Sequence, residues 1–147
     1  MSIERTLLFA IVLTLITGCA SRPTAWIRTY AGPERPDTEV ATLLHNFSNY
    51  RETLVIDQIS YPKTRQDPKT RFKLLPGKHH IRYTLRWHKK GFVHGWFEID
   101  MTAGHTYVLS HRAHGWFSQY VVVTLEDSSS KEVVGRQVFE EPSWRMQ

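Results

Sequence analysis

The sequence predicts an all-β protein, and the prediction depends on alternating polarity and on the spacing of turn residues. The clearest pattern is "HIRYTLRWH", residues 80–88, where Ile81, Tyr83 and Leu85 would face one side of a strand and the polar residues the other. "FVHGWFEIDM", residues 92–101, repeats this alternation. Turn residues separate such segments at intervals of about 8–12 residues, which is typical of sandwiches. We therefore expect a single antiparallel β-sandwich, with a small barrel as the alternative.

The elements before this strand are predicted from shorter patterns. "EVATLLHNF", residues 39–47, fits a strand or a short helix, and we favour a strand because strands dominate the rest of the chain. "TLVIDQI", residues 53–59, is a nearly continuous β-branched run, which predicts a strand buried on both sides. "LLPGKHH", residues 74–80, contains the dipeptide Pro76-Gly77 and predicts a turn.

The elements after residue 101 are also predicted to be strands. "TAGHTYVLSH", residues 102–111, should turn at Gly104. "QYVVVTLED", residues 119–127, and "EVVGRQVF", residues 132–139, are separated by a Ser-rich turn. The predicted series of strands therefore continues to residue 139.

The first residues have the pattern of an export signal. The run from Leu7 to Ile16 is apolar except for Thr14. Since a bilayer core needs about 20 apolar residues of helix, this run is too short to span it. Its length is typical of the hydrophobic region of a signal peptide. The last residue of the run begins "ITGC", residues 16–19, which ends at Cys19, the single cysteine of the chain.

This tetrapeptide resembles the lipobox of bacterial lipoproteins. The resemblance implies cleavage between Gly18 and Cys19 and attachment of diacylglycerol to the Cys19 thiol, which then anchors the protein in a membrane. No Asp directly follows Cys19, which in lipoproteins of Gram-negative bacteria implies the outer membrane, with the domain facing the periplasm. The alternative is an ordinary signal peptide with an incidental cysteine. We expect a removed signal peptide over 1–18, a lipidated N-terminus and tether over 19–38, and the β-sandwich over 39–147.

A second resemblance concerns the middle of the chain. "LLPGKHHIRY", preceded by "VIDQI" and followed by "FEIDMTAGHTYVL", is similar to small proteobacterial lipoproteins of unknown function and to the PEGA-type surface module, which share a Leu-Pro-Gly-x-His hairpin. The similarity covers roughly residues 40–111. It implies a turn geometry and a β fold, and it implies no reaction.

Positive charge is concentrated in residues 60–90, which contain ten bases and one acid in a chain of net charge +5. Such a patch could dock on an anionic envelope polymer or on lipid phosphates; the alternative is a solvated loop with a solvated strand face. We expect the membrane and an envelope protein or anionic polymer as partners, and no nucleic acid. The candidate basic residues are Lys63, Arg65, Lys69, Arg71, Arg82 and Arg86.

Aromatic residues form a second candidate site. "HGWF" occurs at residues 94–97 and again at 114–117, so Trp96 and Trp116 follow glycines. Exposed together, these indoles could line a saccharide- or peptide-binding groove. Otherwise, the aromatic residues fill the core and open ends of the sandwich.

Enzyme and metal signatures are weak. The sequence lacks a Gly-x-Ser-x-Gly elbow, a phosphate-binding glycine loop and an HExxH motif, so we predict no catalytic residue and no cofactor. The eight histidines could form a metal site only if at least three converged, and we predict none. The expected function is a structural or interaction module at the envelope. The alternative is a ligand-binding module for saccharide or metal.

Overall fold

The computed structural model describes residues 26–46, 52–62, 70–86, 91–114 and 120–140. These residues form ten strands and one 3-10 turn at Asp37–Glu39, and the strands pack as a two-sheet sandwich, which confirms the predicted fold class. The strands are β1 Trp26–Arg28, β2 Ala41–His45, β3 Thr53–Ile56, β4 Ile59–Pro62, β5 Thr70–Leu74, β6 Gly77–Arg86, β7 Phe92–Met101, β8 Thr106–His114, β9 Tyr120–Asp127 and β10 Glu132–Glu140.

Within the described residues, the strands divide into a six-stranded sheet, in the order β1-β5-β2-β8-β9-β10, and a four-stranded sheet, in the order β4-β3-β6-β7. The two sheets stay separate, so the alternative of a small barrel is wrong. Most pairs are antiparallel, but β1 with β5 and β2 with β8 are parallel, which the sequence did not predict. Parallel pairs arise here because the chain crosses to the other sheet between these strands, so its direction on return is not fixed by a hairpin.

Strand β2 settles the ambiguous segment as a strand over Ala41–His45. Leu43 pairs with Phe72 of β5 on one side and with Tyr107 of β8 on the other, and its side chain is fully buried. Because both neighbours supply backbone partners, pairing decides the conformation of a segment too short to be a stable helix alone.

Strand β3 is buried on one side only, so the predicted burial on both sides is wrong. Leu54 and Ile56 lie in the core, whereas Val55 is half-buried on the outer face of the four-stranded sheet. Asp57 and Gln58, both with positive φ, then form the two-residue turn into β4.

The Pro76-Gly77 turn connects the two sheets. It joins β5 of the six-stranded sheet to β6 of the four-stranded sheet, so these strands do not pair as a hairpin. Both ring nitrogens of the next histidine, His79, contact acceptors: Nδ1 lies 2.5 Å from Asp57 Oδ2 and Nε2 lies 2.7 Å from the Leu75 carbonyl. These residues therefore fasten the crossover to the β3–β4 turn. The resemblance to the PEGA module stays a prediction.

The domain begins before the boundary predicted at residue 39. β1 pairs in parallel with β5, and Lys73 of β5 forms ion pairs of 2.9 Å with Glu34 and with Asp37. Hydrogen bonds to Asp37 and Glu34 raise the pKa of Lys73. The part of the predicted tether from Trp26 onward is thus bound to the sandwich. Residues 19–25 lie outside the described residues.

The core lies between the sheets and is closed on one side by contact between β7 and β10. Gly95 of β7 faces inward beneath the hydrogen bond from Tyr83 Oη to Gln137 Oε1, which is 2.5 Å long. A Cβ added to Gly95 would overlap the Tyr83 hydroxyl, and one added to Gly135 would lie 2.6 Å from the Phe97 ring. Glycine at both positions therefore allows the two strands to approach. Burial raises the pKa of Tyr83 far above its usual value.

Candidate interaction surface

The outer face of the four-stranded sheet brings together outward residues of β6 and β7. Their register places Arg82 opposite Trp96 and Thr84 opposite His94. Because side chains alternate along a strand, the inward neighbours of these residues form the core and leave the polar and aromatic set outside. We call this the outer β6–β7 face; its residues are Lys78, His80, Arg82, Thr84, Arg86, Phe92, His94, Trp96, Glu98 and Asp100.

Trp96 is the largest exposed side chain of this face. Its exposed fraction is 54%, and that of Phe92, on the same side of the strand, is 52%. The imidazole of His80 stacks on the Trp96 indole, with ring centroids 5.4 Å apart and an interplanar angle of 25°. The stacking restrains the indole while leaving much of its surface open to solvent, as in a preformed platform for a planar or apolar group.

A shallow depression of about 400 Å³ adjoins the indole. Its wall includes Arg82, Val55 of β3 and the pair Thr84–His94, in which Thr84 Oγ1 lies 2.9 Å from His94 Nδ1. The backbone of Gly95 also lines the depression. The depression thus combines one apolar surface with hydrogen-bonding groups and one cation.

Charge along the outer β6–β7 face changes from one end to the other. Near the end of β7, Lys78 lies opposite Asp100 and His80 opposite Glu98, so bases and acids alternate across the strands. Among the described residues, no carboxylate lies within the ion-pair distance of 4.0 Å from Arg82. The guanidinium of Arg82 is thus available to an anionic group that enters the depression.

The predicted basic patch is divided between two surfaces. Arg82 and Arg86 lie on the outer β6–β7 face, whereas Arg71 lies on the outer face of the six-stranded sheet, with its guanidinium 5.1 Å from the Trp26 ring centroid. A single cluster of the predicted residues therefore does not form, because the crossover at Pro76-Gly77 sends β5 and β6 to opposite sheets. Lys63, Arg65 and Lys69 lie outside the described residues.

The aromatic residues were predicted either to line an exposed groove or to fill the core, and the first "HGWF" copy contains one example of each. Trp96 is exposed, as a groove requires, while Phe97 is buried in the core. Alternation explains the split, since neighbouring residues of a strand face opposite sides. Trp116 lies outside the described residues, and so do Gly18 and Cys19.

The histidines in the described part of the chain are dispersed. Those of β8 and its flanks have separate partners: His114 stacks on Tyr120 with centroids 5.0 Å apart, and His105 Nδ1 lies 2.7 Å from Asp127 Oδ2. In the parts of the chain that the structure describes, no three His, Cys, Asp or Glu side chains form a group that could hold a metal ion.

Two members of the surface were not among the predicted site residues. These are Phe92 and His80, which the alternation of β6 and β7 places on the outward side with Trp96. The strand register was the missing information, because it determines which outward residues of β6 become neighbours of those on β7.

Comparison of the chain with protein-family models, with curated proteins and with solved structures finds no match. Among the described residues, no helix has the length and apolarity needed to cross a membrane.

Proposed function

We propose that this chain is a lipoprotein anchored in the bacterial outer membrane through Cys19, with its sandwich in the periplasm. The proposal is supported by the apolar run Leu7–Ile16, whose last residue begins the tetrapeptide "ITGC". The sandwich serves as an interaction module that contacts an envelope protein or an anionic envelope polymer, and it carries out no reaction.

One observation supports the choice of contact surface: Trp96 and Phe92 are both more than half exposed on one strand face, beside the available guanidinium of Arg82. Exposed aromatic side chains together with arginine are enriched at protein interfaces, where they supply much of the binding free energy. The outer β6–β7 face is therefore the proposed contact surface.

The anchor is tested by replacing Cys19 with serine in the producing cell. Labelled palmitate should enter the wild-type chain and not the Cys19→Ser variant, and the variant should leave the membrane fraction. Equal labelling of both chains, or an unchanged membrane fraction for the variant, would contradict lipid attachment at Cys19.

The contact surface is tested by affinity capture from solubilised envelopes. Capture of the partner by wild-type protein should weaken with added salt, and Arg82→Gln should reduce it by about tenfold, the effect of losing one charged hydrogen-bonding group. The matched control is Arg136→Gln, which removes an exposed arginine from β10. Equal capture by wild type and Arg82→Gln, or a loss seen only with Arg136→Gln, would exclude this surface.

A second candidate function is saccharide binding, which the depression beside Trp96 favours. A sugar ring could stack on the indole while Arg82, Thr84 and His94 bind its hydroxyl or acidic groups. This function predicts that purified anionic cell-wall oligosaccharide changes the tryptophan fluorescence of the wild-type protein and not that of Trp96→Phe. Contact with an envelope protein predicts no response to the sugar, whereas a response would identify the anionic envelope polymer as the saccharide bound beside Trp96.

A further inference from the structure

The edge of the sandwich at β1 has a surface that differs from the outer β6–β7 face. Trp26, with an exposed fraction of 46%, lies opposite Arg71, and Arg28 lies opposite Lys73. All four side chains are on the outer side of the six-stranded sheet. We call Trp26, Arg28, Tyr30 and Arg71 the β1 patch.

Cations flank the aromatic rings of the β1 patch. The Arg71 guanidinium lies 5.1 Å and the Lys73 ammonium 5.0 Å from the Trp26 ring centroid, and the Arg28 guanidinium lies 5.7 Å from that of Tyr30. Lys73 forms ion pairs with both Glu34 and Asp37, and Arg28 acts electrostatically on Glu34 from a longer distance. In contrast, the described residues place no carboxylate within ion-pair distance of Arg28 or Arg71. The three bases outnumber the two acids, so the patch and its surroundings carry net positive charge beside an exposed indole.

From these observations we propose that the β1 patch docks on the surface of the membrane that holds the lipid anchor, with Trp26 at the headgroup level and Arg28 and Arg71 on lipid phosphates. This inference rests on the proposed lipidation of Cys19. Tryptophan and arginine are suited to this position, because each combines an apolar body with a group that remains in the polar layer.

The length of the chain before β1 supports the membrane surface as the partner of the β1 patch. Six residues separate Cys19 from Trp26. Since an extended chain spans at most about 3.6 Å per residue, Trp26 lies within about 25 Å of the acylated residue. The positive charge of Arg28 and Arg71 is complementary to anionic lipid phosphates, which attract basic residues near the surface.

Docking at β1 also orients the outer β6–β7 face. Tyr61 of β4 packs on Phe72 of β5 at 5.0 Å, and Gln137 Nε2 of β10 donates to the Trp96 carbonyl at 2.7 Å. β4 thus lies over the β1 side of the larger sheet and β7 lies beside β10. Five strand spacings of about 4.8 Å separate β1 from β10, so Trp96 is held about 24 Å farther along the sandwich. Because the β1 patch is on the outer side of the six-stranded sheet and Trp96 is on the outer side of the four-stranded sheet, a docked domain presents Trp96 away from the membrane.

The test uses the mature protein purified from the producing cell, in vesicles of phosphatidylcholine and phosphatidylglycerol in equal parts, with lipids brominated near the top of the acyl chains. Bromine quenches the emission of indoles at the headgroup level. We expect quenching of wild-type emission, most of which disappears in Trp26→Phe and persists in Trp96→Phe. These variants are a matched pair, since both replace an exposed indole. Quenching that persists in Trp26→Phe, or that is lost in Trp96→Phe, would overturn the proposal.

A second variant tests the role of charge without removing the indole. Arg28→Gln combined with Arg71→Gln should lower the quenching in the mixed vesicles by at least about twofold and make it insensitive to salt. Unchanged quenching in this double variant would refute docking on lipid phosphates.

Flotation of the same vesicles separates the two proposals. Wild-type protein that floats with the vesicles but shows no quenching retains its anchor and refutes docking of the β1 patch. Wild-type protein that does not float refutes the anchor, and with it the docking.

Discussion

The two sides of strand β7 have opposite roles. Its inward residues, Gly95 and Phe97 among them, pack against β6 and β10 with almost no free space. Its outward residues Phe92 and Trp96 are more than half exposed, although the same backbone holds them. Close packing on the inner side fixes the position of the β7 backbone, so the outer side presents aromatic side chains without burying them.

The largest expected effect comes from emptying the inner side. Phe97→Ala should lower the free energy of unfolding by about 3–5 kcal/mol, because Phe97 stacks on Tyr83 at 5.7 Å and contacts the position of Gly135. Phe92→Ala is the matched control on the outer side and should change stability by less than about 0.5 kcal/mol. Denaturant unfolding measures both, and equal losses would refute the difference between the two sides.

A smaller loss is expected from filling the space at Gly95. Gly95→Ala should cost about 1–3 kcal/mol, because the new Cβ forces Tyr83 and Gln137 apart. Thermal unfolding can be compared with that of His94→Ala, the outward neighbour, which should unfold close to the wild-type temperature. A wild-type melting temperature for Gly95→Ala would show that β7 and β10 are not in close contact.

Loss of one hydroxyl tests the hydrogen bond across this contact. Tyr83→Phe should cost about 1 kcal/mol, since Gln137 Oε1 loses its hydroxyl donor while the ring packing is retained. When Gln137 is already replaced by Ala, Tyr83→Phe should lower the free energy of unfolding much less. A double-mutant cycle measures the coupling between the two side chains. If the stability losses of the two single variants simply add in the double variant, the hydrogen bond makes no contribution to stability.

The smallest effect is expected from an inner-side carboxylate, and only in acid. Burial of Asp127 opposes ionisation, but the hydrogen bonds from His105 and from the Ser129 backbone outweigh it, so the pKa of Asp127 is lowered. A lowered pKa contributes stability above the unfolded-state value, and this contribution is lost as the pH falls through the folded-state value. The stability advantage of wild type over Asp127→Asn should therefore shrink from about pH 4 downward. If the stability advantage of wild type over Asp127→Asn instead grew as the pH fell, the pKa of Asp127 would not be lowered by folding.

The sequence predicted the local parts of this structure well. Alternation correctly placed Ile81, Tyr83 and Leu85 inside and Arg82 outside, because the side chains of a strand have a period of two wherever one face is buried. It could not predict that β5 and β6 lie in different sheets, because a Pro-Gly turn is compatible with a hairpin and with a crossover. Sheet membership depends on long-range packing, and for this reason the predicted basic patch proved to be divided.

The candidate site was predicted only in part for the same reason. Trp96 and Arg82 were chosen from residue type, and their neighbourhood is determined by the β6–β7 register. His80 becomes part of the site through its stacking on Trp96, which is a contact between two strands. The β1 strand was missed because three residues are too few to show a period, and its pairing with β5 is parallel and non-local.

The most direct test of the contact surface is photo-crosslinking in intact cells. A photo-crosslinking amino acid at position 96 reports on the outer β6–β7 face, and the same residue at position 138 reports on an exposed site of β10, where Val138 has an exposed fraction of 45%. We predict a discrete adduct from position 96, weakened by Arg82→Gln, and none from position 138. Adducts from position 138 with none from position 96 would contradict the proposed surface.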